Sequence, residues 1–305
     1  MNEPILGGAG RDCGKPLLRP GNTNCGGCGM SLGLQMLRRA LGAHQIQMVI
    51  PACCAAVAAG SYPYSAIGAP VVLSTFASSA AVASGLANVA LLNGERTRVV
   101  CWAGDGGSYD IGLATLSAAA ERNEDILYVC YDNEIYGNTG GQRSSATPVG
   151  AVTTNTGGGK VEEKKDLLAI MAAHGIPYAA SVSIAHPDDC LRKLRTALDT
   201  RGFRFLHLLA PCPTGWKSEP AQGVELVRLA VQCGLFPVVE ILDGDHLSIN
   251  VEPDFSATAL ERYLALQGRF RKAALDPSRL QSAIARHWRG LRLRAAVKDP
   301  SPAAN

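Results

Sequence analysis

Short apolar runs alternate with amphipathic stretches along most of the chain. The runs IQMVIP (46–51), ILYVCY (126–131) and FRFLHLLA (203–210) are almost continuously hydrophobic, which is typical of strands buried on both faces. Segments such as GMSLGLQMLRRALG (29–42) repeat apolar residues as helices do, SSAAVASGLANVALL (78–92) predicts a helix dense in Ala and Ser, and FPVVEIL (236–242) continues the alternation. The pattern predicts an α/β fold in three layers, with a parallel sheet between two layers of helices and right-handed crossovers.

Three regions of the chain differ in composition. Residues 1–22 are rich in Gly, Pro and Arg and are expected to form an N-terminal arm. Residues 23–245 carry the alternating pattern and are interpreted as the α/β domain. Residues 246–305 contain the amphipathic, basic stretches ATALERYLALQGRFRKAAL and RLQSAIARHWRGLRLRAAV, which predict a C-terminal helical extension packed on the core or on a partner.

Composition narrows the class of protein. Hydrophobic residues make up 47% of the 305 residues and charged residues 18%, which predicts well-covered surfaces or a large partner interface. The net charge of +3 gives no support to a role in nucleic-acid binding. No apolar run approaches the roughly 18–20 residues that cross a membrane. Because the first residues lack the basic-then-apolar order of a signal peptide, we expect a cytoplasmic protein.

Unusual polar loops follow several predicted strands. GDGG (104–107) follows one strand, DN (132–133) ends the next, and NTGG (138–141) comes shortly after it. ACC (52–54) and PCP (211–213) follow two other strands. Because ligands of open parallel sheets bind beyond the carboxyl ends of the strands, these loops are expected to meet at one edge.

The first two of these loops have a physical interpretation as a phosphate and metal site. Glycines let the backbone approach a diphosphate and offer N–H groups to it. Asp105 and Asn133 each present one hard oxygen, which suits Mg²⁺, and a helix predicted to start near Ile111 adds its positive end. A lone GDG is more often a tight turn, but the second polar loop at the matching place favours a site.

These two loops resemble the thiamine diphosphate signature, which begins with GDG and closes with an asparagine after the next strand. The resemblance implies that Gly104, Asp105 and Gly106 contact the cofactor. It also implies that Asp105, the side chain of Asn133 and the backbone carbonyl of Ile135 hold Mg²⁺.

The longer stretch DNEIYGNTGGQRSSATP (132–148) resembles the beta subunit, or the corresponding domain, of the 2-oxoacid:ferredoxin oxidoreductases. Pyruvate:ferredoxin oxidoreductase is the best-known member, and the match covers residues 20–242. The resemblance implies that Asn138 is a catalytic residue beside the thiazolium ring and that Thr139 lies near the cofactor. It further implies oxidative decarboxylation of a 2-oxoacid, pyruvate first, to acyl-CoA and CO₂, with one-electron transfer to ferredoxin.

The cysteines point to a metal centre. NCGGCG places Cys25 and Cys28 in CxxC spacing, which alone also fits a redox dithiol or half of a zinc site. The resemblance implies one [4Fe–4S] cluster held by these two, by a cysteine after the next strand and by Cys212 of APCPTGW, and four thiolates suit such a cluster. The usual spacing of the family, counted from Cys28, favours Cys53 as the third ligand. The local pattern favours Cys54, which we prefer.

The remaining cysteines are expected to have no role at the site. Cys101, Cys130 and Cys233 lie inside apolar runs and are expected to be buried hydrophobic residues. Cys13 and Cys190 have no place in the cluster scheme.

One part of a thiamine site is missing from the sequence. In thiamine enzymes a glutamate faces the aminopyrimidine ring and comes from a second, related domain, whereas this chain has only the diphosphate-binding set of loops. The resemblance therefore implies partner subunits of the alpha, gamma or delta type, with ferredoxin and coenzyme A as further partners. The isolated chain is expected to be inactive.

One stretch departs from the family pattern. STFASSAAVASG (74–85) keeps AAVASG but has Ala77 and Ser78 where the family often has an acidic residue and an amide. If these positions reach the substrate, then oxalate, an aryl 2-oxoacid and a branched 2-oxoacid are open as alternatives to pyruvate. Alternatively, Ser78 and Ser79 are simply helix-start residues.

Two other functions compete with this assignment. A cluster-free thiamine decarboxylase or ligase would have no use for four cysteines in loops at the sheet edge. A non-catalytic iron–sulfur or zinc protein would have no use for Asp105, Asn133 and Asn138 in matched loops.

Overall fold

A computed structural model describes residues 16–61, 64–271 and 277–296. Eight strands form one sheet in the order β2-β1-β3-β4-β6-β5-β7-β8. The strands are β1 (Ile46–Pro51), β2 (Val71–Ser74), β3 (Arg98–Gly104), β4 (Ile126–Asp132), β5 (Tyr178–Val182), β6 (Arg204–Leu209), β7 (Val238–Leu242) and β8 (His246–Val251).

Helices connect and cover these strands. They are α1 (Gly29–Ala40), α2 (Cys54–Ala59), α3 (Ser79–Leu92), α4 (Leu113–Glu121), α5 (Leu167–Ala172), α6 (Pro187–Asp199), α7 (Pro213–Trp216), α8 (Gly223–Gln232), α9 (Ala257–Ala265) and α10 (Pro277–Ala296). A π-helical turn covers Gly106–Asp110, and short 3₁₀ turns cover Pro220–Gln222 and Gly268–Phe270.

The first six strands pair in parallel, and flanking helices cover the sheet. Every residue of β3, β4 and β6 is buried, as expected of strands covered on both faces. Cys101, Cys130 and Cys233 are buried, as predicted, and so is Cys190 in α6. The structure therefore confirms the predicted α/β fold in its main part.

The end of the sheet differs from the prediction. β7 runs antiparallel to β5, and β8 runs antiparallel to β7, so the sheet is mixed. Residues 246–251, which we assigned to the helical extension, form this last strand, so the boundary at residue 245 is wrong. The physical reason is the tight turn at Asp243 and Gly244, both at positive φ, which returns the chain antiparallel along β7.

Helices follow β8 as the amphipathic pattern predicted. α10 packs against β8, and Trp288 is buried with its Nε1 donating to the carbonyl of Gly234 at 2.8 Å. Within the described ranges, no helix combines the length and apolar character needed to cross a membrane. Of the predicted N-terminal arm, residues 1–15, including Cys13, lie outside the described residues, and Leu18 bridges to Ile67.

Candidate functional site

A cleft of about 430 Å³ lies beyond the carboxyl ends of β1, β3 and β4. Cys53 and Cys54 line one side of it, and Phe76 and Tyr136 form part of its wall, with their rings 6.0 Å apart. The structure brings together along this cleft all the residues that the resemblance assigned to the cofactor. They are Gly104, Asp105, Gly106, Asn133, Ile135, Asn138 and Thr139.

Asp105 is buried directly after β3. Its Oδ2 accepts a hydrogen bond from Ser144 Oγ at 2.5 Å. Burial raises the pKa of the Asp105 carboxyl well above its usual range, and the nearby charge of Asp132 raises it further. Because a cation beside this carboxyl would favour its ionised form, the chemistry of the position fits a bound metal ion.

The helical turn after Asp105 starts earlier than predicted. It begins at Gly106, whereas the regular helix α4 begins at Leu113, so the helix start expected near Ile111 is replaced by a π-helical turn. A Cβ atom on Gly106 would lie 2.4 Å from the Tyr136 ring, so only glycine allows this approach. The free N–H groups at the start of the π-helical turn therefore lie next to Asp105, and not several residues further along the chain as predicted.

The residues after β4 form a turn held by side chains. Asn133 Oδ1 accepts from the Ile135 N–H at 3.2 Å, and Asp132 Oδ1 accepts from the Glu134 N–H at 2.9 Å. Glu134 has φ of 63°, a left-handed conformation that is uncommon for a side chain of this size. Trp216 Nε1 donates to the Asn133 carbonyl at 2.8 Å. The turn is thus fixed from several directions.

At this turn the buried carboxylate of Asp132 is surrounded by polar and charged partners that sequence reasoning did not find. Asp132 Oδ2 lies 2.5 Å from Lys164 Nζ, 2.8 Å from His207 Nε2 and 3.2 Å from Tyr109 OH. Burial alone would raise the pKa of Asp132, but Lys164 and His207 hold it below its usual value. Asp132 therefore remains ionised within this group of partners. Of these partners, only Lys164 was marked in the sequence, by the run of charged residues KKD at 164–166.

Asn138 and Thr139 lie on the exposed part of the cleft wall. Asn138 Oδ1 accepts from Cys54 Sγ at 3.1 Å, and Thr139 Oγ1 donates to Gln142 Oε1 at 2.5 Å. The Asn138 side chain thus links the loop after β4 to Cys54, which also lines the cleft.

The CxxC loop packs against the segment that holds Cys212. The Gly29 N–H donates to the Pro211 carbonyl at 2.9 Å. A Cβ atom on Gly27 would lie 2.3 Å from the Pro220 carbonyl oxygen, so the loop approaches this segment closely. Burial is the main reason that the pKa of the Cys54 thiol is raised to about 12. The neighbouring thiols raise this pKa further, Cys212 most and then Cys53, Cys28 and Cys25. The predicted cluster thiols therefore lie near enough to one another to interact electrostatically.

The two adjacent cysteines have different surroundings. Cys54 Sγ donates to Asn138 Oδ1, and the other candidate thiols raise the pKa of Cys54, whereas burial raises the pKa of Cys53 and the nearby Tyr131 hydroxyl lowers it. Across residues 16–61, 64–271 and 277–296, no three His, Cys, Asp or Glu side chains already stand close enough to hold a metal ion. The soft thiols nonetheless fit an iron–sulfur or zinc centre chemically.

The departure at 74–79 reaches the cleft only through Phe76. Ala77 and Ser78 are not among the cleft-lining residues; the Ala77 carbonyl accepts from Thr115 Oγ1 at 2.6 Å, and Ser78 Oγ lies 2.8 Å from Thr75 Oγ1. Ser78 precedes α3 without making a side-chain capping bond, and Ser79 begins the helix.

Comparisons with known proteins agree with this geometry. Residues 52–208 match the family model of the thiamine pyrophosphate enzyme C-terminal TPP-binding domain. The chain is 44% identical over 289 residues to ketoisovalerate oxidoreductase subunit VorB of Pyrococcus horikoshii, covering 91% of this chain and 93% of that protein. It is 43% identical over 260 residues to pyruvate synthase subunit PorB of Methanothermobacter thermautotrophicus, covering 83% and 89%.

A solved structure shares the fold. A chain of the 2-oxoglutarate:ferredoxin oxidoreductase from Magnetococcus marinus superposes with a TM-score of 0.59 at 21% identity, covering 86% of this chain and 92% of that one.

Proposed function

This chain belongs to the beta subunits of the 2-oxoacid:ferredoxin oxidoreductases, and from that premise we propose that its cleft binds thiamine diphosphate for the oxidative decarboxylation of a 2-oxoacid. One observation carries the proposal. Residues from two separate loops after β3 and β4, each assigned to the cofactor in advance, line a single cleft next to Cys54. Neither a cluster-free decarboxylase nor a structural iron–sulfur protein requires this combination.

Asp105, the side chain of Asn133 and the backbone carbonyl of Ile135 would hold Mg²⁺, and the backbone at Gly104 and Gly106 would face the diphosphate. Support comes from the buried Asp105 carboxyl, whose raised pKa shows that its charge is poorly compensated by the protein alone. Mg²⁺ takes few protein ligands and completes its shell with phosphate oxygens, which suits this small donor set.

When bound, thiamine diphosphate supplies an electron sink that stabilises the carbanion formed on loss of CO₂. The protein's own contribution is orientation and exclusion of water. Asn138 presents its carboxamide at the exposed side of the cleft, where it would orient the 2-oxo group of the substrate. Phe76 and Tyr136 give the cleft an apolar wall that limits access of water to the reacting carbon.

Cys25, Cys28, Cys54 and Cys212 would hold one [4Fe–4S] cluster, the first electron acceptor. Support comes from the packing of the CxxC loop on Pro211 and from the other three thiols, whose charges raise the pKa of Cys54. Because Cys54 also contacts Asn138, the cluster would lie beside the cleft, as fast electron transfer requires. Partner subunits would complete the thiamine site, ferredoxin would receive the electrons, and coenzyme A would accept the acyl group.

Pyruvate is our first candidate substrate, and the branched 2-oxoacid ketoisovalerate is the second. Relatives named as ketoisovalerate oxidoreductase subunits are 44% identical, and relatives named as pyruvate synthase subunits are 43% and 42% identical. Phe76 is the residue of the 74–79 stretch that lines the cleft, so its side chain would limit the size of the substrate.

The test is anaerobic purification with the co-purifying chains, followed by analysis of iron, sulfide, magnesium and thiamine. A panel of 2-oxoacids is then assayed with a viologen acceptor. We expect one thiamine diphosphate per chain, about four irons for the proposed cluster, and turnover of pyruvate or ketoisovalerate. Asp105→Asn should lose thiamine and activity, whereas Asp188→Asn, on the exposed face of α6, should lose neither. Zinc in place of iron, with no thiamine, would refute the proposal.

A further inference from the structure

Arg269 is a buried cation supplied by the segment that follows α9. The residue is 2% exposed and lies in the 3₁₀ turn Gly268–Phe270. Its Nη2 donates to Glu134 Oε2 at 2.7 Å and to Tyr263 OH at 3.2 Å, and its Nε donates to Gln267 Oε1 at 2.8 Å. A buried guanidinium requires such partners, so its position is tightly determined.

Arg269 also contacts the turn that follows Cys212. Its guanidinium carbon lies 4.2 Å from the centre of the Trp216 ring, over the ring face. Trp216 ends α7, the short helix that begins directly after Cys212. The same indole donates to the Asn133 carbonyl at 2.8 Å. Arg269 and Trp216 therefore hold the turn after β4 together, one through Glu134 and the other through Asn133.

Glu134 needs this support because of its backbone. Its φ of 63° lies in the left-handed region, which costs energy for any residue other than glycine and persists only where the surroundings impose it. Besides Arg269, Lys164 Nζ contacts Glu134 Oε1 at 3.0 Å, and Thr147 Oγ1 donates to the Glu134 carbonyl at 2.7 Å. The residues on either side, Asn133 and Ile135, are the proposed metal ligands.

We propose that Arg269 is a positioning residue that fixes the metal-binding turn Asn133–Ile135 relative to the Cys212 turn. It does so by pairing with Glu134, which has a left-handed conformation, while its guanidinium lies over the ring of Trp216. Arg269 does not line the cleft, so it acts through these two residues and not on the substrate. The inference rests on the proposed function and extends it, because it makes the segment after α9 part of the cofactor site.

Arg292 is a comparison arginine with similar contacts at a more exposed position, its side chain being 54% exposed. Arg292 in α10 lies over the rings of Phe255 and Trp288, at 5.3 Å and 5.9 Å from their centres. It also pairs with Glu252 at 3.0 Å. Arg292 therefore has the same kinds of contact, an aromatic face and a glutamate, without any contact to the turn after β4.

The experiment uses the complete complex, stripped of magnesium and thiamine diphosphate and then titrated with Mg²⁺ at a fixed thiamine diphosphate concentration. Binding is followed by calorimetry, and the electron paramagnetic resonance spectrum of the reduced cluster is recorded. We expect Arg269→Gln to weaken apparent Mg²⁺ affinity about 10- to 100-fold, as removal of a residue that orients a metal ligand does. Its kcat should fall and its cluster spectrum should shift. Arg292→Gln should change none of these.

Two further variants keep the test decisive if Arg269→Gln does not assemble. Arg269→Lys keeps the charge but loses the planar contact with Trp216, and it should weaken Mg²⁺ binding less than Arg269→Gln. Glu134→Gln should weaken it in the same direction, and its combination with Arg269→Lys should be less than additive, since both act on one contact.

The outcomes separate the two proposals. If the wild-type complex binds no thiamine diphosphate, the proposed function fails, and this inference fails with it. If the wild type binds the cofactor but Arg269→Lys and Glu134→Gln titrate with Mg²⁺ as the wild type does, only the role of Arg269 is refuted. Lower thermal stability in the Arg269 variants with unchanged Mg²⁺ affinity would also refute it.

Discussion

At the scale of single residues, Cys53 and Cys54 follow one another in sequence but have different partners. Cys54 contacts Asn138, and the other candidate thiols raise its pKa, while the pKa of Cys53 responds to burial and to the nearby Tyr131 hydroxyl. We therefore predict that Cys54→Ser loses most of the cluster iron and lowers viologen reduction at least about tenfold, as loss of a metal ligand or its support does. Cys53→Ser should keep both. Iron analysis and paramagnetic resonance of the two variants measure this, and the reverse result would assign the ligand to Cys53.

Lys160 is a second residue with a measurable consequence. Its buried ammonium donates to the carbonyls of Ser145 at 3.0 Å and Thr147 at 2.7 Å. Burial lowers the pKa of Lys160 from 10.5 to about 8, helped by the charges of Arg143 and Lys164. Between these two pH values the unfolded chain keeps a proton that the folded chain has lost, so the contribution of Lys160 to stability rises with pH.

Lys160→Met removes this titration and serves as the reference. The free energy of unfolding of the wild type, minus that of the variant, should rise between about pH 8 and pH 10, by at most about 1.4 kcal/mol per pH unit. Urea denaturation of both proteins at several pH values in this window measures the difference. A difference that stays flat or falls with pH would contradict the lowered pKa.

The sequence revealed some of the site residues and hid others for a physical reason. Asp105 and Asn133 directly follow strands, so their place at the sheet edge could be predicted from the pattern alone. Ser144 reaches Asp105 from 39 residues away, and Arg269 reaches Glu134 from 135 residues away. Such contacts depend on tertiary packing and leave no periodicity or spacing in the sequence.

At the scale of elements, hydrophobic pattern identified the buried strands but not the direction of all of them. A buried apolar strand such as β7 has the same pattern whether it runs parallel or antiparallel to its neighbour. β8 was missed although HLSINV alternates in polarity, because the strong helical pattern that follows dominated the interpretation. The four-residue strand β2 is too short to produce a clear signal.

The packing of α10 allows a prediction at this scale. Trp288 is 2% exposed, donates to the Gly234 carbonyl and packs edge-on against Phe255. Trp288→Ala should lower the free energy of unfolding by about 3–5 kcal/mol, the usual cost of deleting a large buried aromatic side chain. Leu293→Ala in the same helix, where the side chain is 64% exposed, should change it by less than about 0.5 kcal/mol. Thermal denaturation of the two variants compares them, and equal losses would show that α10 is not anchored through Trp288.

At the scale of the whole molecule, the chain is one part of a larger enzyme. Its cleft presents the loops proposed to bind the diphosphate, and α3 leaves Val89, Leu91 and Leu92 largely exposed. We predict that the purified single chain does not turn over 2-oxoacids and that activity appears when partner subunits are added. A viologen-reduction assay of the chain alone and of the reconstituted complex measures this. Turnover by the single chain would show that it contains a complete site.

The distance along the chain between Glu134 and Arg269 also orders events during protein synthesis. A ribosome synthesises a chain from its amino terminus. The proposed cluster cysteines and cofactor loops, the last of which contains Cys212, therefore emerge before Arg269 does. For that interval the nascent chain has all the groups that would bind iron and magnesium but lacks the cation that holds Glu134, 135 residues earlier. We therefore expect maturation of the cofactor site to follow translation of the segment after α9.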